Sequence, residues 1–175
     1  LIGFKMILEN LNELELGRIT KLNQLSGESI IDSFDWPDSL SDDVYWMPEE
    51  LLSTFGTDFH EKLSDEKKIE LSKVELLRFF SENVHGEIYL LRQLLQKYSE
   101  GYFNNTSEFI HHFMKEEGEH IQVFSEFCRR YGELYTDKRI DLGGADEPIV
   151  ESLLFFCRVL IFENHVDFIN QKIAT

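Results

Sequence analysis

Cysteine is scarce in this chain: Cys128 and Cys157 are the only two in 175 residues, and both fall inside apolar helical patterns. They build neither a disulfide framework nor a thiolate metal site. With no charged leader followed by an apolar stretch, the expected compartment is reducing and cytoplasmic; the sequon in "NNTS" at 104–107 then reads as a polar loop. Bases are scarce too. Seventeen Lys and Arg stand against 33 Asp and Glu, a formal charge of −16, which repels phosphate backbones and sets nucleic acid aside as a partner. Long hydrophobic runs are missing. "IVESLLFFCRVLIFENHVDFI" is broken by Glu151, Arg158 and Glu163, short of the roughly 18 apolar residues of a membrane span, so no membrane partner is expected. Three prolines and ten glycines in a chain that is 42% hydrophobic suit a helical, globular protein.

What is present is helical periodicity, and residues 1–175 read as one domain. "FKMILENLNELELGRITKLNQL" carries apolar residues at three- and four-residue spacing and stops at Ser26-Gly27, a helix end. The stretch from Asp32 to Ser64 holds both tryptophans and two of the three prolines. It reads as an extended wrap anchored by its aromatics, with one short helix near "PEELLSTFG". After the Ser64-Asp65-Glu66 cap signal, long helices are expected from about Glu66 to Tyr98, from about Ser107 to Tyr131, and from Pro148, suited to a first turn, to the end. Three long antiparallel helices need a fourth to close a bundle. The chain opens on Leu1 and its last helical pattern is still running at "INQKIAT", so the expectation is a piece of something longer. The N-terminal helix or one beyond Thr175 would complete the bundle.

The chemistry lies in acids and histidines at helical spacing. Glu-x-x-His occurs three times, as Glu82/His85, Glu108/His111 and Glu117/His120, so the spacing alone selects nothing. On the first long helix Leu77, Phe80, Val84, Leu91, Leu94 and Tyr98 mark a buried stripe that includes Glu87. Glu82 points roughly 140° away from Glu87, which makes Glu82/His85 solvated surface. On the second helix Ile110, Phe113, Ile121, Phe124 and Cys128 mark a stripe that includes both Glu117 and His120. Glu108 and His111 sit in its first turn, where an acid suits the helix dipole. Depth agrees: counted from the connecting loop, Glu87 and Glu117 lie within roughly 2 Å of one level in an antiparallel pair, and Glu82 misses by about 7 Å.

Two buried carboxylates facing each other force one to take up a proton unless a cation lies between them. Carboxylate oxygens with an imidazole nitrogen suit iron, or manganese, better than calcium or structural zinc. The third long helix adds Glu163, the one acid of a nearly all-apolar segment after Glu151; His165 and Asp167 are nearby alternatives on other faces. A Glu helix, a Glu-x-x-His helix and a second Glu helix, in that order, fit the ferritin-like four-helix bundle with a dinuclear carboxylate site. Its fourth contribution, another Glu-x-x-His, is not found after Glu163, in keeping with a last bundle helix missing from this chain.

The order of features over about residues 19 to 170 resembles one family of that superfamily. "ITKLNQLS" leads in, "FDWPDSL" and "VYWMPEELLSTFGT" form the wrap, and "LSDEKKIELSKVE", "HGEIYLL", "EEGEHIQVF" and "LIFENHVDF" carry the helices. Together they are similar to the p-aminobenzoate N-oxygenase-like di-iron oxygenases. The resemblance implies that Glu87, Glu117, His120 and Glu163 bind metal, two irons in all. It also implies that dioxygen is co-substrate, that a small-molecule amine of arylamine type is oxidised, and that electrons come from an external donor. A homodimer is expected from the family and from the seam a missing helix leaves. The alternative is a ferritin-like bundle that binds or handles iron without oxygenating a substrate. No general acid or base is assignable from sequence.

Overall fold

The computed structural model describes residues 30–101, 106–136 and 147–174, and among them there are helices and irregular segments but no strand. The fold is all-α and of the ferritin-like bundle type. Helix α1, Asp58–Glu61, is a single turn; α2, Asp65–Ser99, α3, Ser107–Tyr131, and α4, Pro148–Ile173, are the long elements. The expected N-terminal helix lies outside the described residues.

Local chemistry sets the helix ends. Ser64 is extended, and its hydroxyl accepts from the Lys67 N–H, which satisfies one of the orphan donors of the first turn of α2. Asp65 and Glu66 stand in that turn, where the helix dipole favours acids. At the other end the Glu100 N–H returns to the Gln96 carbonyl, and Gly101 takes φ 80°, the left-handed region that stops a helix. Pro148 opens α4 behind an extended Glu147, a position where its missing N–H has no helical partner to lose.

Helices α2 and α3 form an antiparallel hairpin, since Tyr98 meets His111, Glu87 meets His120 and Phe80 meets Phe127 as one chain ascends and the other descends. Apolar packing lies above and below the middle of α2. Towards the connecting loop Leu90, Leu94 and Ile110 enclose Phe155 of α4. Towards the opposite end Leu76 packs with Met47 and Leu52 of the wrap, ringed by Trp46, Phe79, Phe80 and Phe127. Glu87 lies between these two clusters.

The wrap is held by its aromatics, as its composition predicts. Trp46 meets Phe127 and Tyr131 edge-on at 6.2 and 6.4 Å, and its backbone N–H donates to the buried Ser72 hydroxyl. The short helix expected near "PEELLSTFG" is instead a 3-10 turn at Glu49–Leu51 followed, after a turn, by α1. The reason is polar. His60, at the start of α1 and 5% exposed rather than a surface residue, holds the Thr54 hydroxyl at Nδ1 (2.8 Å) and the Glu49 carboxylate at Nε2 (2.9 Å). Lys68 of α2 donates to the same Glu49 oxygen at 2.8 Å. These bonds fold the segment back on itself, which a continuous helix would prevent.

Candidate metal centre

Helix geometry delivers the site. Glu87 lies on the face of α2 that buries Val84, Leu90 and Leu94, and is 2% exposed. Glu117 lies on the face of α3 that buries Ile110 and Cys128, and is 3% exposed. His120 follows Glu117 by three residues, so its ring returns to the same face. Its Nδ1 is 3.0 Å from Glu117 Oε2 and 3.6 Å from Glu87 Oε1, while the outer side of the ring meets solvent. One donor atom from each of Glu87, Glu117 and His120 lies within 4.8 Å of the others.

Glu163 of α4 is not one of those three, but it is close enough for the Glu117 charge to act on its carboxyl. Its Oε1 is buried without a hydrogen-bond partner, as is Oε2 of Glu87. His165 and Asp167 are exposed, and Asp167 accepts from the Gln171 amide. Glu82 is exposed and paired with Arg78 at 2.8 Å, so it is Glu87 that faces α3. His85 departs from the expectation of a solvated surface: it is half-buried and donates from Nε2 to the Tyr135 carbonyl at 2.8 Å. Glu108 is exposed in the first turn of α3, and His111 lies against Tyr98.

The cluster is short of positive charge. Burial, reinforced by the neighbouring Glu117 carboxylate and opposed by His120, pushes the Glu87 carboxyl up to about 7. Hydrogen bonds to Glu117 and then Glu87 raise the His120 imidazolium to about 10. Burial, followed by the charge of Glu117, also raises Glu163. Metal-free, the site thus holds a proton on His120 at neutral pH, whose Nδ1–H donates to Glu117, while Glu87 is divided between its protonated and ionised forms.

These residues fit a cation. Two buried carboxylate oxygens have no donor among the described residues, and the donor set is carboxylate with imidazole. Opposite ligands of a cation bound at about 2.1 Å are about 4.2 Å apart. The donor atoms of Glu87, Glu117 and His120 lie within 4.8 Å of one another, and His120 Nδ1 is 3.0 and 3.6 Å from the two carboxylates, separations of the same scale.

Three nearby residues escape the sequence reading. Asn83 sits one turn before Glu87, buried, with its amide donating to the Phe79 carbonyl and its Oδ1 unpartnered; a polar residue on an apolar stripe was the available signal. Gly86 and Phe162 immediately precede Glu87 and Glu163, and a Cβ added at Gly86 would lie 2.4 Å from the Phe162 ring. No sequence pattern announces that contact.

With this geometry in hand, comparison with known proteins is informative at one level. The sequence model of the p-aminobenzoate N-oxygenase family, AurF, matches residues 18–175. Comparison with curated proteins and with solved structures returns no match.

Proposed function

This chain belongs to the p-aminobenzoate N-oxygenase family, and from that membership we propose that it is a non-haem di-iron oxygenase that oxidises the nitrogen of a small-molecule amine of arylamine type. The observation that carries the reading within the fold is the convergence of Glu87, Glu117 and His120 on one buried point, with unpartnered oxygens on Glu87 and Glu163. Glu87, Glu117 and His120 would hold iron from the hairpin and Glu163 from α4. Manganese fits the same donors. The bound metals would supply the electrons that activate dioxygen, and insertion of one oxygen atom into an amine calls for an external electron donor as partner.

The chain's own residues have definite tasks. Glu87 must give up the proton that burial makes it hold, and His120 must give up its Nδ1 proton before that nitrogen can act as a ligand. In the metal-free protein Glu117 Oε2 accepts from His120 Nδ1 and turns that nitrogen inward; the bond is given up when Nδ1 takes a metal. Phe124 packs beside the His120 ring at 6.2 Å, an apolar neighbour that suits an aromatic substrate. No helix of the described residues is long and apolar enough to cross a membrane. From the two free cysteines, Cys128 and Cys157, we place the enzyme in a reducing compartment, the cytoplasm.

The test is iron content and oxygen-dependent amine oxidation by the full-length protein, beside the double change Glu117→Ala and His120→Ala. About two irons per chain, an N-oxidised product and loss of both in the double variant are expected. Iron bound without turnover of any amine would leave the iron-handling reading. An iron-free protein that folds equally well without Glu117 and His120 would refute both.

A further inference from the structure

The carboxylates of Glu87 and Glu163 approach from different helices, and the residues just before them, Gly86 and Phe162, touch. A Cβ built on Gly86 would stand 2.4 Å from Cζ of Phe162, with the two Cε atoms at 2.8 and 3.1 Å. The far edge of the Phe162 ring therefore rests in the notch that the missing side chain leaves on α2. Glycine inside a helix costs about 1 kcal/mol relative to alanine, and here the sequence places it at the one point of α2 where Phe162 enters.

On α4 the residues facing the hairpin recur at helical spacing: Phe155 buried, Val159 against the upper cluster, Phe162 against Gly86, and Val166 buried. Leu160 and Ile161, between them, are exposed. At the level of the site, Phe162 is thus the residue through which α4 meets α2, and Glu163 follows it by a single residue.

We propose that the Gly86–Phe162 notch is a positioning device, setting the depth at which α4 presents Glu163 to Glu87, Glu117 and His120. The proposal rests on the metal-centre reading above and extends it to two residues that touch no metal. The magnitudes decide its importance. An ordinary carbon contact is 3.4 Å or more, so a methyl at position 86 forces the ring back by about 1 Å. Functional constellations tolerate about 0.5 Å. Whatever part of that displacement the Phe162 ring passes on to the α4 backbone carries Glu163 with it, so a methyl here should loosen the site while leaving the helices intact.

The experiment measures manganese and iron bound per chain, and their affinities, in the full-length protein and in Gly86→Ala, Phe162→Ala, Phe162→Leu and the double change Gly86→Ala with Phe162→Leu. Circular dichroism and urea midpoints are recorded alongside. Gly86→Ala and Phe162→Ala should each keep their helix content and weaken metal binding several-fold, up to about the 10-fold expected for loss of the Glu163 carboxylate itself. The double change should recover most of the Gly86→Ala loss, because leucine vacates the space the new methyl needs; a general loss of stability would not be rescued this way. Phe162→Ala introduces no clash, so it tests the notch even if Gly86→Ala does not fold. Wild-type affinity in either single variant, or no recovery in the double, overturns the proposal. Equal binding by wild type and Glu117→Gln would instead overturn the metal-centre reading on which it stands.

Discussion

The two sides of the site are built differently. Glu87 and Glu117 come from a hairpin interlocked along its length, with aromatic contacts between α2 and α3 on either side of the carboxylates and the wrap packed over one end. Glu163 comes from α4, which leaves Ile149, Leu153, Leu160, Ile161 and Phe168 exposed and meets the hairpin along one narrow stripe. One side holds its donors in place before any cation arrives. The other depends on a few contacts to bring its carboxylate to the right depth. The proposed ligands would therefore be held by dense packing on one face and by a narrow stripe of contacts on the other.

The largest expected effect concerns protons, and it assigns them to the hairpin. Metal must displace protons from Glu87, raised to about 7, and from His120, raised to about 10. Below pH 7 two protons leave per binding event and between pH 7 and 10 one, so apparent metal affinity should rise by about three orders of magnitude from pH 6 to 8. Calorimetry in buffers of different ionisation enthalpy counts these protons, and Glu87→Gln should remove one. The metal-free fold runs the opposite way. Both pKa values lie above their unfolded values, so this stabilisation is complete below those unfolded values. It fades as pH rises through about 7 for Glu87 and about 10 for His120. Urea midpoints of the metal-free protein should fall from pH 5 to 9; a rise would mean the site is already neutralised by a cation.

Next comes the comparison of ligands. Glu117→Gln should lower metal affinity about 100-fold or more, because it replaces a buried anionic oxygen donor by a neutral amide. Glu163→Gln should cost about 10-fold, the scale of a weaker, adjustable contribution. Equilibrium dialysis with manganese measures both. Equal losses would break the distinction between the two sides.

A smaller effect isolates the wrap. Trp46→Ala removes two edge-on ring contacts from a half-buried side chain and should cost about 2 kcal/mol of stability, below the 3–5 kcal/mol of a fully buried tryptophan. Metal affinity should change less than about 3-fold, since Trp46 acts through Phe127 and Tyr131 and not on the donors. A large loss of affinity would show that the wrap holds the hairpin at the level of the site.

What was legible in the sequence follows from what is periodic. The rise of an α-helix is invariant, so counting from one loop places Glu87 and Glu117 at the same level, and the spacing of three brings His120 beside Glu117. The limits of α2 and the start of α4 follow from Ser64, Gly101 and Pro148, whose chemistry is local. The wrap has no period. Its course depends on His60 joining Thr54 to Glu49 and on Lys68 reaching the same carboxylate, contacts that pattern does not encode. His85 escaped for the same reason: its angle on α2 suggests solvent, and only the chain after α3 supplies the Tyr135 carbonyl that covers it.

The smallest effect is carried by the second glycine beside a ligand. Gly118 follows Glu117 as Gly86 precedes Glu87, yet a Cβ added at Gly118 meets no described atom within 4 Å. Gly118→Ala should therefore stabilise the metal-free protein by about 0.5–1 kcal/mol through helix propensity and a less disordered unfolded chain, where Gly86→Ala distorts. The urea midpoint measures the gain, and metal content should stay unchanged. The pair of variants separates two reasons for a glycine in a helix. At position 86 the space is filled by the Phe162 ring of α4, so a side chain there displaces the residue next to Glu163. At position 118 the described structure makes no such demand, and a loss of metal there would mean that the open space beside Glu117 is needed by the site itself.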